Sequence, residues 1–282
     1  MPGTLFVVAT PIGNLEDITL RALRVLREVA VIAAEDTRRT AHLLARHTIS
    51  TPTTSLHEHN EHQKSPSLIE QLLRGDSIAL VSDAGTPTVS DPGAHLVQLA
   101  SKAGIRVEAI PGASAVMAAL SVSGLSTQTF TFLGFVPTRS KDRNAWFALL
   151  LNSEGEVIFF EAPHRIRETM EEFGRMAGDV TVLMARELTK THEELVRGHI
   201  SAVLDQLTER RGEYTVVAMI GRKPEMPPAE PPSTETLQRE LGEITDNNGT
   251  SRRTAIATLA KRHGLSPNDV YRALESAKKS GS

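Results

Sequence analysis

Residues 78–93 read IALVSDAGTPTVSDPG, an apolar run followed by a polar stretch with two glycines and two prolines. That composition excludes a helix or a strand interior, so a strand ends near Ser82 and a loop follows it. Ligands of open α/β sheets bind outside the carboxyl ends of strands. The stretch therefore predicts an α/β sheet with a ligand-binding loop. The alternative is an ordinary turn into a helix beginning at Ala94, with Asp91 and Pro92 as start signals, a role that we expect for Asp91.

The same alternation of strand and helix continues through the first 222 residues. The predicted strands are Leu5–Ala9, Ala30–Ala34, Ile78–Ser82, Arg106–Ile110, Phe130–Phe135, Val157–Phe160, Val180–Ala185 and Tyr214–Ile220. The predicted helices include Leu20–Glu28, Arg39–Arg46, Ala94–Lys102, Ile166–Met176 and Ser201–Glu209. This order predicts an α/β fold with parallel strands covered by helices. Gly124–Thr129 (GLSTQT) interrupts the pattern and is the expected seam between two α/β lobes.

A proline-rich segment divides the chain into a large body and a small C-terminal part. Five of the fifteen prolines lie between Pro224 and Pro232, and such a segment is a stiff, extended linker. The predicted domains are an N-terminal lobe (1–122), a C-terminal lobe (123–222), the linker (223–234) and a helical domain (235–282).

Composition excludes several classes of protein. The chain of 282 residues is 40% hydrophobic with a net charge of −3, which excludes a disordered chain. It has no cysteine, which excludes disulfides, iron–sulfur ligation and thiolate zinc sites. The longest apolar run, AWFALLL at residues 145–151, is seven residues, far below the ~20 of a membrane helix. The N-terminus MPGTLFVVATPIGN is a poor secretory signal, so we expect a cytoplasmic protein.

The C-terminal residues carry most of the basic excess. From Thr250 to Ser282, seven Lys and Arg residues face two acidic ones, a local net charge of +5. Two helices are predicted, the second with Ser266 as N-cap and Asp269 completing a capping box. The spacing is typical of a helix-turn-helix, and Arg272 lies on its second helix. We expect it to dock on RNA; the alternatives are a solvated basic helix end and a helical hairpin that packs on a partner.

Two further loops follow predicted strands. IPGASAVMAAL (110–120) places Ser114 and small residues at a helix N-terminus, which suits a ligand or close helix–sheet packing. VVATPIGN (7–14) lacks the lysine of a phosphate-binding loop, and the chain contains no GxGxxG, so nucleoside triphosphate and NAD binding are disfavoured.

Seven motifs occur together in a familiar order: ATPIGNLEDIT, AAEDTRRT, SDAGTPTVSDPG, IPGASA, FFEAPHR, ARELTKTHEE and GEYTVV. Over about residues 3–221 the chain resembles the class III S-adenosylmethionine (SAM) methyltransferases of the tetrapyrrole methylase superfamily. Gly85-Thr86-Pro87 departs from the Gly-Asp-Pro of the porphyrin-precursor enzymes. That difference favours the branch that methylates the 2′-hydroxyl of a cytidine in 16S ribosomal RNA.

The resemblance implies two α/β lobes with SAM bent in the cleft between them, a small-ribosomal-subunit substrate methylated near the decoding centre, and a homodimer. Carried over motif by motif, the expected cofactor residues are Pro11, Asp83, Gly85, Thr86, Val89, Ser114, Ala115, Glu161, Ala162 and Thr215.

Methyl transfer from a sulfonium needs alignment and a place for the acceptor's proton, and it needs no metal. Three charged clusters follow strands, at residues 35–39, 161–165 and 186–190. We expect Asp36, His164 or Glu187 to orient or deprotonate the hydroxyl. The expected RNA-binding residues are Arg38, Arg39, Arg165, Arg186, Lys190 and Arg272. The alternative for each carboxylate–cation pair is a structural ion pair.

Two rival functions remain open on the sequence. One is a methyltransferase that acts on a tetrapyrrole or a protein side chain, which has no need of a basic helical tail. The other is a ligand-sensing helix-turn-helix regulator, which explains the tail and leaves the seven ordered motifs unexplained.

Overall fold

The computed structural model describes residues 1–125, 129–207, 212–220, 234–248, 251–263 and 266–280. The chain divides into two compact units, Met1–Gly221 and Arg222–Ser282. No helix in these ranges is both long enough and apolar enough to cross a membrane.

The first unit begins with a five-stranded sheet in the order β3-β2-β4-β1-β5, in which every pair of neighbours is parallel. Its strands are β1 (Thr4–Val8), β2 (Val31–Ala34), β3 (Thr53–Ser55), β4 (Ile78–Val81) and β5 (Arg106–Ile110). Its helices are α1 (Leu20–Glu28), α2 (Thr37–Arg46), α3 (Glu61–Arg74), α4 (Ala94–Lys102) and α5 (Ala115–Val122), with a 3₁₀ turn at Leu15–Asp17. All four residues of β4 are buried, as expected of a central parallel strand.

A second five-stranded sheet follows, in the order β6-β7-β10-β8-β9. Its strands are β6 (Phe130–Phe135), β7 (Gly155–Glu161), β8 (Thr181–Arg186), β9 (Glu194–His199) and β10 (Tyr214–Ile220), and its helices are α6 (Ser140–Asn152), α7 (Ile166–Ala177) and α8 (Ile200–Gln206). Only β6 and β7 pair in parallel; the other neighbours in this sheet are antiparallel. The expectation of parallel strands throughout was therefore wrong for this sheet. The connection from β8 to β9 spans residues 187–193, too short for a parallel crossover.

The predicted α/β class is confirmed, and all eight predicted strands are present with ends that differ by at most two residues. The chain passes from the first sheet to the second between β5 and β6, around the expected seam, of which residues 126–128 lie outside the described ranges. The predicted linker also lies outside them up to residue 233. The bounds of the two lobes stay a prediction.

Helix α5 connects the two sheets. It follows β5 in the chain, yet its Val116 and Ala119 pack in one cluster with Ile158 of β7 and Val217 of β10. On the opposite face of β7, Val157 and its neighbours form a separate core with α6 and α7. The loop that precedes α5 is thereby placed beside the ends of second-sheet strands.

In its described residues the C-terminal unit has three helices, α9 (Thr234–Asn248), α10 (Arg252–His263) and α11 (Pro267–Ser280). The last two are the helices predicted between residues 251 and 279, and α9 precedes them. Leu237 of α9 packs with Leu259 of α10 and Leu274 of α11 in a small apolar core. The predicted cap of the last helix is confirmed, because the amide of Asp269 donates to Ser266 Oγ at 3.1 Å.

Candidate functional site

A cavity of about 370 Å³ lies in the first unit where the two sheets meet. Pockets that hold small molecules measure roughly 300–1,000 Å³. The side from the first sheet consists of Ile12, Glu35, Arg39, Asp83, Ala84, Gly85, Thr86, Val89, Ser90, Asp91, Ser114, Ala115 and Val116. The side from the second sheet consists of Phe135, Phe160, Glu161, Leu188, Glu213, Tyr214 and Thr215.

The loop after β4 is tied to the end of β1. Thr10 N donates to Gly85 O at 2.8 Å, and Gly85 N donates to Thr10 O at 3.0 Å. Gly85 has a φ of 78°, which glycine adopts without strain. Thr88 and Ser90 also have positive φ, of 73° and 64°, in a region that such residues seldom adopt. The two backbone bonds therefore tie this cavity wall to the end of β1.

Eight of the ten predicted cofactor residues line the cavity: Asp83, Gly85, Thr86, Val89, Ser114, Ala115, Glu161 and Thr215. Pro11 and Ala162 lie beside the lining residues Ile12 and Glu161 rather than in the lining. Ile12 was missed although it belongs to the same ATPIGN motif. The role of the ten predicted residues in binding a cofactor stays a prediction. The convergence of eight of them on one cavity is the arrangement that the motifs implied.

Three carboxylates stand together on the first-sheet side. Asp83 accepts a hydrogen bond from the backbone N–H of Asp36 at 2.9 Å and pairs with Arg39 at 3.4 Å. Glu35 accepts from Asp83 N at 3.2 Å, and burial raises the pKa of Glu35. Burial, followed by the negative charge of Glu35, raises the pKa of Asp91 to about 6.

Asp91 does not cap helix α4, so the expectation that it would serve as a start signal was wrong. The N-cap is Gly93, with a φ of 115°. Glu61 Oε1, from the start of α3, accepts from the amides of Gly93 at 3.2 Å, His95 at 2.6 Å and Leu96 at 3.4 Å. A tertiary contact thus satisfies the helix end and leaves the Asp91 carboxylate facing the cavity.

The cluster at residues 35–39 is divided between cavity and surface. Asp36 is the N-cap of α2, and its carboxylate accepts from Arg38 N at 2.8 Å and Arg38 Nη2 at 2.8 Å. These hydrogen bonds lower the pKa of Asp36, which makes it a poor proton acceptor. The Arg38 side chain is 88% exposed, whereas Arg39 lines the cavity.

The cluster at residues 161–165 is largely structural. Glu161 Oε1 accepts from Ala162 N at 2.7 Å, and Oε2 accepts from the Thr169 hydroxyl at 2.6 Å. Arg165 lies 3.5 Å from Glu161 and donates to the carbonyls of Val136 and Pro137 at 3.0 Å. These contacts fit the alternative of a structural ion pair for Arg165.

His164 of the same cluster is exposed and stands outside the cavity lining described above.

The charged side chains of the cluster at residues 186–190 are paired, within the cluster or with residues outside it. Glu187 lies 2.9 Å from Lys190, and Arg186 lies 2.9 Å from Glu194. Burial raises the pKa of Glu187, but the hydrogen bonds from Lys190 and from the backbone N–H of Glu213 outweigh it, so the pKa is lowered overall. The geometry therefore gives no support to Glu187 as a base.

The sixth predicted RNA-binding residue lies elsewhere in the chain. Arg272 is an exposed residue of α11 in the C-terminal unit. Among the described residues, no group of His, Asp and Glu side chains could hold a metal ion.

Comparison with known proteins gives the family. The pattern of the Tetrapyrrole (Corrin/Porphyrin) Methylases matches residues 4–204. Two relatives named Ribosomal RNA small subunit methyltransferase I match most of the chain. The protein from Synechocystis is 42% identical over 95% of this chain and 96% of its own length. The protein from Bacillus subtilis is 40% identical over 95% of this chain and 93% of its own length.

Solved structures show the same fold at low sequence identity. A diphthine synthase matches with a TM-score of 0.59 at 16% identity, covering 77% of this chain and 90% of that one. A uroporphyrin-III C-methyltransferase from Thermus thermophilus, complexed with S-adenosyl homocysteine, matches with a TM-score of 0.56 at 18% identity, covering 77% and 97%. The chain therefore belongs to the tetrapyrrole (corrin/porphyrin) methylase family and, within it, to the ribosomal RNA small subunit methyltransferase I family.

Proposed function

We propose that the protein is a SAM-dependent methyltransferase of the small-subunit ribosomal RNA. The observation that carries the proposal is the cavity, on which the motifs of the family converge in a chain 40–42% identical to relatives of that name. The printed name of those relatives supports the rRNA substrate, and the S-adenosyl homocysteine complex of a structural neighbour supports the cofactor.

The residues of the cavity suit an amphipathic cation. Gly85, Ala84 and Ala115 leave the backbone accessible, and Ile12 and Leu188 provide apolar surface. Glu35, Asp83 and Asp91 bring negative charge that Arg39, which also lines the cavity, balances only in part. An anionic nucleotide would be repelled by such a wall, whereas a sulfonium and an ammonium group would be attracted.

When bound, SAM supplies an electrophilic methyl group, and the chain supplies the surroundings. Gly85, Thr86, Ser114, Ala115 and Thr215 would hold the cofactor from both sides of the cavity. The carboxylates would attract its positive charge. Because the loop after β4 is fixed by the bonds at Thr10, this binding requires little rearrangement of the wall.

The finer assignment is 2′-O-methylation of a cytidine ribose in 16S rRNA within the small subunit. Its support is the Gly85-Thr86-Pro87 tripeptide and the resemblance to the RNA-methylating branch. The exposed Arg38 at the rim and the exposed Arg253 and Arg272 of the C-terminal unit are suited to phosphate contacts. A homodimer and a cytoplasmic location belong to the same proposal.

In the experiment, the purified protein and labelled SAM are incubated with each of three acceptors: small ribosomal subunits, naked 16S rRNA and uroporphyrinogen. We expect label in the RNA, and mass spectrometry should place it on the ribose of one cytidine. Label in uroporphyrinogen alone would favour the tetrapyrrole alternative. Operator DNA binding without transfer to any acceptor would favour the regulator.

A further inference from the structure

Five carboxylates of the described residues line the cavity, and four of them bond strongly to other parts of the protein. Glu35, Asp83 and Glu161 accept hydrogen bonds from backbone amides, and Glu213 lies 3.3 Å from Lys190. Asp91 differs, because in the part of the chain that the structure describes it accepts no hydrogen bond from a backbone amide and has no Lys, Arg or His partner; its hydrogen-bond partner is the Ser82 hydroxyl. A carboxylate has about four acceptor positions, so Asp91 can still act on a ligand while it accepts one hydrogen bond from Ser82.

The position of Asp91 is fixed although its side chain makes few contacts. Ser90 before it is held at a φ of 64°, and Gly93 after it at 115°. Glu61 satisfies the helix end that an aspartate at residue 91 would ordinarily cap. The fold therefore presents this carboxylate to the cavity with the Ser82 hydroxyl as its hydrogen-bond partner.

The surroundings of Asp91 set its basicity. The charged side chains around Asp91 come from several elements. They are Glu35 and Arg39 after β2, Glu61 at the start of α3, Asp83 in the same loop, and Glu161 and Glu213 across the cavity. Burial first, and then the charges of Glu35 and Asp83, raise its pKa to about 6, against a small opposing effect of Ser82. A base with a pKa near the working pH is ionised in the resting enzyme and still binds a proton well.

The candidates predicted from sequence are less suited. The Asp36 carboxylate is held by Arg38, and Glu187 by Lys190, so both have lowered pKa values. His164 is exposed and stands outside the cavity lining.

We propose that Asp91 is a catalytic residue that accepts the proton of the acceptor hydroxyl, an inference that rests on the proposed function. The O–H bond breaks and its proton passes to an Asp91 carboxylate oxygen. The oxygen uses that electron pair to bond the methyl carbon, while the pair of the broken C–S bond stays on sulfur. Asp91 then returns the proton to solvent.

The test compares Asp91→Asn and Asp91→Glu with a matched surface variant, Asp205→Asn, whose residue is exposed on α8. Turnover is measured on small subunits at saturating SAM across the pH range around 6. Calorimetry with S-adenosylhomocysteine, which has no sulfonium charge, reports cofactor binding independently of turnover and shows that each variant is folded.

We expect Asp91→Asn to lower kcat by about 100-fold or more, the usual contribution of a general base. Affinity for S-adenosylhomocysteine, which keeps the ammonium group but lacks the sulfonium charge, should fall much less than kcat. Asp91→Glu should recover part of the rate, and Asp205→Asn should match the wild type. Wild-type kcat should fall tenfold per pH unit below about 6, because Asp91 is then protonated; Asp91→Asn should lose this dependence.

Asp91→Asn turnover within about tenfold of the wild type would overturn the inference, since a general base contributes more than that. A parallel loss of turnover and of S-adenosylhomocysteine affinity would also overturn it, because Asp91 would then hold the cofactor. A wild type that methylates none of the three acceptors would instead refute the proposed function.

Discussion

Replacing Glu161 by alanine separates a structural role from contact with a cofactor. The side chain of Glu161 is fully buried beside Arg165, and its two oxygens accept from Ala162 N and the Thr169 hydroxyl. Removing one partner of a buried ion pair costs about 3–5 kcal/mol. Arg165 is 19% exposed and keeps two carbonyl acceptors, so we expect Glu161→Ala to lower the free energy of unfolding by about 3 kcal/mol, the lower end of that range.

The assay is urea unfolding followed by fluorescence of Trp146, the only tryptophan in the chain. Trp146, on α6, lies in the core that α6 and α7 form with the second sheet, and its Nε1 donates to Leu133 O at 3.1 Å. It therefore reports on the part of the fold that Glu161 supports.

The matched control is Glu171→Ala, which breaks an exposed pair with Arg167 at the same i, i+4 spacing and 3.8 Å. This exposed pair should contribute at most about 0.5 kcal/mol. Equal stability losses in Glu161→Ala and Glu171→Ala would refute the structural role, and a lowered SAM affinity without any loss of stability would assign Glu161 to the cofactor.

Three further predictions concern stability and RNA affinity. Glu61→Ala should lower the free energy of unfolding by about 1 kcal/mol, the value of a helix cap, as measured by urea unfolding followed by circular dichroism. Glu156 is buried, and in the described part of the chain neither of its carboxylate oxygens has a partner, so burial raises its pKa above 4.5. The folded state therefore binds more protons than the unfolded one above pH 4.5, and stability falls as pH rises toward the folded pKa. Glu156→Met should raise the midpoint of thermal unfolding at pH 8, and the exposed Glu154→Gln should leave it unchanged; a lowered midpoint in Glu156→Met would contradict the argument. The double substitution Arg253→Ala and Arg272→Ala should reduce the salt dependence of RNA affinity by about two ion equivalents and leave SAM affinity intact, and an unchanged salt slope in filter binding would remove these residues from the RNA interface.

The strands and the cavity were predictable because their signals are local. Short apolar runs define β1, β4 and β10, and a loop rich in glycine and proline must follow where residues 82–93 leave the sheet. Since parallel strands end at a common edge, loops far apart in sequence converge there. That convergence explains why Gly85 and Ser114 line one cavity.

The elements that were missed depend on contacts that a single stretch of sequence does not contain. Strand β9 (ELVRGH) has charged residues within it, and helix α3 contains Pro66, so neither has a clear local pattern. Asp91 carries the start signals of a helix, but Glu61, thirty residues earlier, takes over the cap. A tertiary hydrogen bond thus converts an apparent helix signal into a residue of the cavity.

The alternation of side chains along β7 explains why Glu161, at its end, has a structural contact with α7. Ile158 and Phe160 pack with α5 on one face, whereas Val157 and Phe159 pack with α6 and α7 on the other. By the same period of two, Glu161 lies on the face that packs against α7, where the Thr169 hydroxyl donates a hydrogen bond to it. The face of Glu161 was predictable from the sequence, because Glu161 lies two residues after Phe159 and therefore on the same face of the strand.

The wall of the cavity is negative and an exposed arginine lies close to it, which restricts how RNA can approach. Glu35, Asp83 and Asp91 make the wall negative, so a phosphate group is repelled from it. Arg38, by contrast, is 88% exposed beside the cavity-lining Arg39. An RNA chain can satisfy both only if its phosphates stay at exposed cations while an uncharged edge, such as a ribose, enters the cavity. The electrostatics that attract a cationic methyl donor therefore also favour a sugar hydroxyl over a phosphate as the group that meets it.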